Sequence, residues 1–536
     1  MGLGKALTTA LDGVIAHIVT VEANVGAGLP GIQIVGMADT GISEARSRIR
    51  TAVLNSHLPW PKTKIIVSLA PASLPKSGPH YDLPVALAVL VAGLTGMGTP
   101  DNALTGGFGG SDAGGLDAEI VRRLDSSLFL GELGLDGSVR AVPGVIPALV
   151  TARQVGKEFV IIPPGNAAEA ALVPDMKVLV APTLSDAFAW ACGRRMLPRA
   201  AQFTARGTRV EPAPAPEPCL SDIAGQHEAK HAAEVAAAGG HHMLMVGPPG
   251  AGKSMIASRL PSILPRLTTE QAVEATAIHS IVGSPGRVID RAPFVAPHAS
   301  ITRAALLGGG SGIARPGAVS LAHHGVLFLD EASEVSAGVL DGLRAPLEEG
   351  QVRLVRSRRE VMYPARFQLV LAANLCRCGA EDSSACRCTS TERLHYLSNL
   401  SGPLRDRLDM FITVSGQSAR LSVSGEETSA VVAGRVAAAR ERSAHRWGRA
   451  GLPFMTNAAV GSALLRRDFP AEEQAMELLA AYLATGSLSQ RGVDRTLRLS
   501  WTLADLAGGE RPSVDEVSRA LDLRGASAGV AEKVMA

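Results

Sequence analysis

The stretch Gly247, Pro248, Pro249, Gly250, Ala251, Gly252, Lys253, Ser254 follows directly on the apolar run His242 to Val246 and constrains this chain more than any other feature. It is a complete G-x-x-x-x-G-K-S loop behind a predicted strand. Glycines at this spacing let main-chain N–H groups turn inward around a phosphate chain. Lys253 brings a point charge to the β- and γ-phosphates, and the Ser254 hydroxyl can hold Mg²⁺. The context predicts binding of a nucleoside triphosphate, ATP, with Mg²⁺.

A second strand-like run, Val326 to Leu329, ends in Asp330 and Glu331. Asp330 can hold Mg²⁺ and Glu331 can polarise an attacking water, the two carboxylate tasks of phosphoryl transfer. A third, Phe367 to Ala373, ends at Asn374, whose amide can sense a γ-phosphate or orient water; a turn or capping role fits the residue equally well. Further on, the turn Ser401 to Asp409 carries Arg405 and Arg407 ahead of the strand-like Met410 to Val414. An arginine there can neutralise charge on a neighbouring subunit's nucleotide or simply form a surface ion pair.

The order of these segments resembles the AAA+ ATPases, and more closely the YifB/ComM family of magnesium-chelatase-like ATPases. The residues that carry the resemblance are Ser221 to Gln226, the phosphate loop, Gly317 to Glu331, Asn374, Ser401 to Asp409 and Leu488 to Arg491, and the resemblance itself covers nearly the whole chain. The resemblance implies that Asn374 is sensor 1, Arg407 the arginine finger and Arg491 sensor 2, with Arg405 and Arg495 as weaker alternatives. It also implies an α/β fold in which a Lon-protease-like domain precedes an AAA+ core and a helical lid. The segment between the phosphate loop and Asp330 resembles the helix-2 insert of this clade. Gly350 to Arg366 resembles its pre-sensor hairpin, which faces the pore of a ring, a hexamer by analogy.

The expected boundaries are 1–200 for the protease-like domain, 201–219 for a Pro/Ala-rich linker, 220–416 for the core and 417–536 for the lid. The linker expectation rests on Pro212 to Pro218, which should be extended and semi-rigid. Before it, Lys64 to Ser68 and Glu158 to Ile162 read as strands among helical segments. After Gln417, Glu472 to Leu483 and Val493 to Leu506 have helical periodicity.

Pro75 to Pro84 and Gly131 to Val142 carry the resemblance to the Lon-protease domain, but both members of a Ser-Lys dyad are missing. His80 stands where the pattern has serine, and Pro143 to Ile146 where it has lysine. Ser77 and Lys76 lie nearby without a motif to promote them, so an inert structural or nucleic-acid-contacting domain is expected.

The formal net charge of +2 is near balance, so any contact with nucleic acid has to come from local clusters of basic residues. Arg353, Arg356, Arg358 and Arg359 form one in the hairpin segment. Guanidinium groups so grouped can track a phosphate backbone without reading sequence, or can make ordinary rim ion pairs; the implied pore favours single-stranded or branched DNA as partner. Four of the six cysteines, Cys376, Cys378, Cys386 and Cys388, form C-x-C-x₇-C-x-C, a spacing that predicts a structural zinc site, with reduced unligated thiols as the alternative. The family pattern has proline where this chain has Leu375 and Arg377. Cys192 and Cys219 stand apart. The N-terminus carries Asp12, His17 and Glu22, and Leu83 to Leu94 is too short for a bilayer, so a soluble cytoplasmic protein with no membrane association is expected. The reading is a DNA-remodelling ring ATPase, a branch-migration helicase by resemblance. A chelatase motor subunit and a protein-remodelling adaptor are the alternatives.

Overall fold

A computed structural model describes residues 2–36, 40–96, 113–206, 218–283, 285–310, 314–356, 359–380, 386–389, 391–392, 396, 399–415, 425–452 and 456–525. Packing divides the chain into two compact units, Met1–Ala213 with Thr269–Ile289, and Pro214–Thr268 with Asp290–Ala536. Of the expected linker, 201–219, the first residues belong to the helix Ala200–Arg206, and its proline-rich part, Pro212 to Pro218, falls almost wholly outside the described residues.

In the first unit, β1 (Gly2–Asp12) and β2 (Ile15–Gly26) form an antiparallel hairpin in the register Gly2 to Val25 through Asp12 to Ile15. β3 (Gly31–Val35) and β4 (Lys64–Ala70) complete a mixed sheet of order β1-β2-β4-β3. Alternation decides which face is buried: Val19, Val21 and Ala23 of β2 and Ile65, Val67 and Leu69 of β4 all point into one core. The helix Asp82–Gly96 fills that core, which explains the apolar run from Leu83 to Leu94. Each fully buried Leu or Val there is worth about 1.5–3 kcal/mol. A second sheet, β5 (Ser127–Phe129), β6 (Phe159–Ile162) and β7 (Lys177–Val180), is parallel and packs against the helix Val145–Gln154.

The insert takes a place that the sequence did not suggest. Thr269–Val282 is a helix, but Ala277 and Val273 pack into the core of the first unit with Val145, Ala148 and Leu149. Gly286 donates its N–H to Glu169 Oε1 at 3.2 Å, a second tie within that unit. The expected core of 220–416 is therefore interrupted at 269–289, because burial of Val273 and Ala277 is satisfied elsewhere than in the flanking chain.

The second unit holds a five-stranded parallel sheet built from β8 (Met243–Val246), β9 (Phe294–Val295), β10 (Val326–Leu329), β13 (Gln368–Ala373) and β14 (Met410–Thr413), in the order β9-β10-β13-β8-β14. β8, β10 and β13 are buried along their whole length, as parallel strands covered on both faces must be. β11 (Gln351–Arg356) and β12 (Arg359–Pro364) form a separate antiparallel hairpin at the expected place. The C-terminal region is helical: Ser429–Arg449, Glu473–Ala484, Gln490–Ala507 and Val514–Leu523, with Trp447, Trp501 and Leu497 in its core. Ser489 caps the third of these and Ser513 closes a capping box on the fourth. Among the described residues no helix is long and apolar enough to cross a membrane.

Candidate functional site

The phosphate loop leaves the carboxyl end of β8 and turns into the helix Lys253–Ile263, so its N–H groups lie at a helix N-terminus. Gly250 and Gly252 have φ +79° and +89°, and a Cβ at either would meet nothing within 4 Å. They are glycines for their backbone and face open space of the kind a phosphate chain needs. Gly247 is glycine for another reason: a Cβ there would lie 2.1 Å from the Val414 carbonyl oxygen. Gln226 braces the loop from outside, its Nε2 donating to Ala251 O at 3.1 Å and Ser415 O at 2.8 Å.

Lys253 folds back over its own loop, donating to Gly247 O at 2.8 Å, Pro248 O at 2.9 Å and Asn374 Oδ1 at 3.0 Å. Burial lowers its pKa, while the negative charges of Asp330 and Glu331 act in the opposite direction. Ser254 Oγ donates to Asp330 Oδ2 at 2.5 Å, which brings together the hydroxyl and the carboxylate expected to share Mg²⁺. Asp330 Oδ1 accepts the Glu331 N–H at 2.9 Å, and Glu331 stands at φ +49°, a left-handed conformation rare for glutamate. The three strand ends β8, β10 and β13 thus deliver Lys253, Ser254, Asp330, Glu331 and Asn374 to one edge of the parallel sheet. The donor set, a hydroxyl and a carboxylate, suits a hard cation such as Mg²⁺.

Beside it opens a cleft of ≈ 410 Å³ lined by His298, Glu331, Glu334, Asn374, Arg377 and Tyr396 among others. Burial raises the pKa of Tyr396, against the effect of its hydrogen bonds with Ser333 and Asn374. Arg377, Tyr396 and His298 were not singled out for this site from the sequence. Only Arg377, next to two clustered cysteines, gave any signal.

The arginines separate by environment. Arg407 is largely covered and forms an ion pair with Glu348 and a hydrogen bond to the Pro403 carbonyl. Arg491 is 75 % exposed and lies 3.5 Å from Asp406. Arg495, the weaker alternative to it, is committed to a buried ion pair with Asp409. Burial pushes the Asp409 carboxyl up, but His241, whose Nδ1 lies 3.5 Å away, and the charge of Arg495 outweigh it and hold the group well below the usual carboxylate range. Arg495 therefore ties the lid to the strand β14 rather than reaching toward the phosphate loop.

In the hairpin, Arg356 and Arg359 are register partners at its end. Arg353 has two carboxylate neighbours, Glu349 at 3.4 Å and Glu360 at 3.7 Å. Arg358 lies outside the described residues. In the first unit His80 is buried with Nε2 2.9 Å from Thr9 O, and Ile146 is in the apolar core, so each of the two dyad positions has a packing role. Lys76 is buried and donates to the Pro71 carbonyl, while Ser77 is half-buried.

The four clustered cysteines converge. Their Sγ atoms all lie within 4.8 Å of one another, with Cys376 to Cys378 at 3.1 Å, Cys376 to Cys386 at 3.4 Å and Cys378 to Cys386 at 3.6 Å. Burial pushes the Cys376 thiol up, whereas the hydrogen bond with Cys376 draws the Cys378 thiol down.

A parallel α/β sheet with a phosphate loop, a carboxylate pair and a polar strand end on one edge defines the AAA+ type of nucleotide-binding module. Family models described as "Magnesium chelatase, subunit ChlI", "Magnesium chelatase, subunit ChlI C-terminal" and "Subunit ChlI of Mg-chelatase" match residues 219–421, 426–524, and 21–107 with 116–166. An uncharacterized protein of Mycobacterium tuberculosis is 44 % identical over 98 % of this chain and 99 % of its own length. The uncharacterized protein YifB of Escherichia coli is 38 % identical over 94 % of each chain. The competence protein ComM of Haemophilus influenzae is 37 % identical over 98 % of each. The chain belongs to the YifB/ComM family of magnesium-chelatase-like proteins. Membership implies use of a nucleotide and Mg²⁺ and suggests an oligomeric assembly.

Proposed function

We propose that this protein is an ATP hydrolase of the AAA+ type that assembles into a ring, a hexamer by family analogy, and uses hydrolysis to remodel DNA. The observation that carries the ATPase reading is the convergence of Lys253, Ser254, Asp330, Glu331 and Asn374 on one edge of the sheet, beside open glycine backbone. Lys253 exchanges its carbonyl partners for β- and γ-phosphate oxygens when ATP enters. Ser254 and Asp330 would hold Mg²⁺, and the ion would supply charge neutralisation on the phosphates. Glu331 orients and accepts a proton from the attacking water, and Asn374, already bonded to Lys253, aligns that water with the γ-phosphate. Arg407 releases Glu348 and serves as finger to a neighbouring subunit's ATP, and Arg491, on an exposed face of the lid, acts as sensor 2.

DNA as the partner draws on the basic hairpin Arg353, Arg356, Arg358 and Arg359 and on the name of the Haemophilus influenzae relative, a competence protein. Branch migration of recombination intermediates is the activity we assign. The descriptions of the matching family models favour a second reading, a motor that remodels a protein partner during metal insertion. Hydrolysis rates measured with no DNA, single-stranded, duplex and branched DNA decide between them. The proposal expects stimulation, greatest with branched or single-stranded DNA; a rate indifferent to all three supports the protein-remodelling reading.

A further inference from the structure

Four thiols drawn together from two C-x-C pairs need a reason. The Sγ atoms of Cys376, Cys378 and Cys386 lie 3.1 to 3.6 Å apart and that of Cys388 lies within 4.8 Å of each, spacings near the edge of a tetrathiolate tetrahedron, about 3.8 Å for a metal–sulfur bond of about 2.3 Å, and far beyond a disulfide bond of about 2.05 Å. Four thiolates around a divalent ion form a dianion. Each C-x-C pair carries an arginine at its centre, Arg377 and Arg387, and these two cations offset that charge.

The turn Cys376–Gly379 touches the nucleotide site at two points. Gly379 closes it, with its N–H donating to Cys376 O at 3.1 Å and its φ at +73°. A Cβ at Gly379 would lie 2.8 Å from Cγ and 3.0 Å from Cδ of Pro249, so the cysteine turn is seated directly against the phosphate loop. Arg377, held between Cys376 and Cys378, lines the cleft that also contains Glu331 and Asn374. Asn374 itself, the partner of Lys253, precedes Cys376 by only two residues.

We propose that Cys376, Cys378, Cys386 and Cys388 bind one Zn²⁺ that fixes this turn against the phosphate loop, so that zinc occupancy sets the affinity of the site for MgATP. The inference rests on the nucleotide reading given above. Zinc is the ion of choice because it is redox-inert and takes four thiolates tetrahedrally with no open position, which makes the site structural. Without it, nothing holds the four thiols together, and Gly379, Arg377 and Asn374 lose their fixed positions next to Pro249 and the Lys253 ammonium.

The test uses the full chain purified under reducing conditions without chelators. Metal analysis should find one zinc per chain, and Cys378→Ser should lose it. Reversible extraction of the zinc should raise the Kd for MgATP about tenfold, equivalent to about 1.4 kcal/mol, and re-addition should restore it. Gly379→Ala keeps all four thiols, so it should retain the zinc yet weaken MgATP binding, because its methyl group displaces Pro249. Near-zero zinc, or iron in its place, overturns the metal assignment. Full zinc with MgATP affinity unchanged by both extraction and Gly379→Ala overturns the coupling. A zinc-loaded wild type that binds no MgATP at all refutes the nucleotide reading and the coupling with it, an outcome told apart by the intact zinc count.

Discussion

Replacing Glu169 by glutamine should stabilise the first unit at alkaline pH and leave it unaided in acid. Glu169 lies among the residues that receive the Thr269–Ile289 segment, accepting hydrogen bonds from the Asn166 side chain and the Gly286 N–H. Its Oε2 is buried without a hydrogen-bond partner. Burial, only partly offset by those two bonds, raises its pKa from an ordinary 4.5 to about 7. Below pH 4.5 the carboxyl is protonated in both the folded and the unfolded chain, and pH has no effect through it. Between 4.5 and 7 the unfolded chain has lost the proton and the folded one keeps it, so stability falls as pH rises, by up to about 1.4 kcal/mol per pH unit. A shift of about 2.5 units then corresponds to about 3 kcal/mol, reached fully only above pH 7. Glutamine keeps the acceptor for Gly286 and carries no charge, so any packing penalty it brings is the same at every pH. The assay is unfolding in urea followed by hydrogen-exchange mass spectrometry, which reads peptides around 166–170 and 286 separately from the second unit. The stability difference between Glu169→Gln and wild type should grow by about 3 kcal/mol from pH 4.5 to pH 8. Parallel pH profiles for the two proteins would refute the reasoning, because they require a carboxyl that stays solvated or finds a cation.

Three further outcomes are expected. Lys253→Ala should weaken MgATP binding by at least about tenfold, since the only cation on the phosphate loop is removed; equilibrium titration checks this. Arg407→Ala should bind ATP but lose hydrolysis, and mixing it with Lys253→Ala subunits, whose own site is dead but whose Arg407 is intact, should partly restore the rate; no rescue means that the arginine does not act in trans. Replacing Arg353, Arg356, Arg358 and Arg359 together should weaken DNA binding regardless of sequence and flatten its salt dependence by about 0.9 per lost phosphate contact on duplex DNA, with MgATP affinity retained. An unchanged salt slope removes the hairpin from the DNA path.

The fold was legible where burial and local pattern agree. Met243–Val246, Val326–Leu329 and Gln368–Ala373 are apolar runs stopped by glycine or by polar residues that carry chemistry, and a fully buried parallel strand has no other signature. The lid helices Glu473–Ala484 and Gln490–Ala507 were legible from their helical periodicity, whereas the two hairpin strands were expected from the family resemblance. The destination of Thr269–Ile289 was not, because the helix pattern says that one face is buried and not which core takes it. The fate of single arginines was equally hidden. Arg491 and Arg495 are one helical turn apart and alike in sequence, yet one is exposed and the other is locked onto Asp409 through a buried network with His241 that only the tertiary fold assembles. Tyr396 and His298 reach the cleft from segments with no motif. Local spacing set the strand ends that carry Lys253, Asp330 and Asn374, while the second layer around them is a product of packing.

The most direct test of the account is a paired measurement of MgATP binding and hydrolysis on Glu331→Gln. The variant removes only the group assigned to the water, leaving Lys253, Ser254 and Asp330 with their roles. The account predicts MgATP affinity within about twofold of wild type and hydrolysis slowed by about a hundredfold or more, the scale of a lost general base. Hydrolysis at the wild-type rate in Glu331→Gln, or no MgATP binding by the wild type, would contradict it.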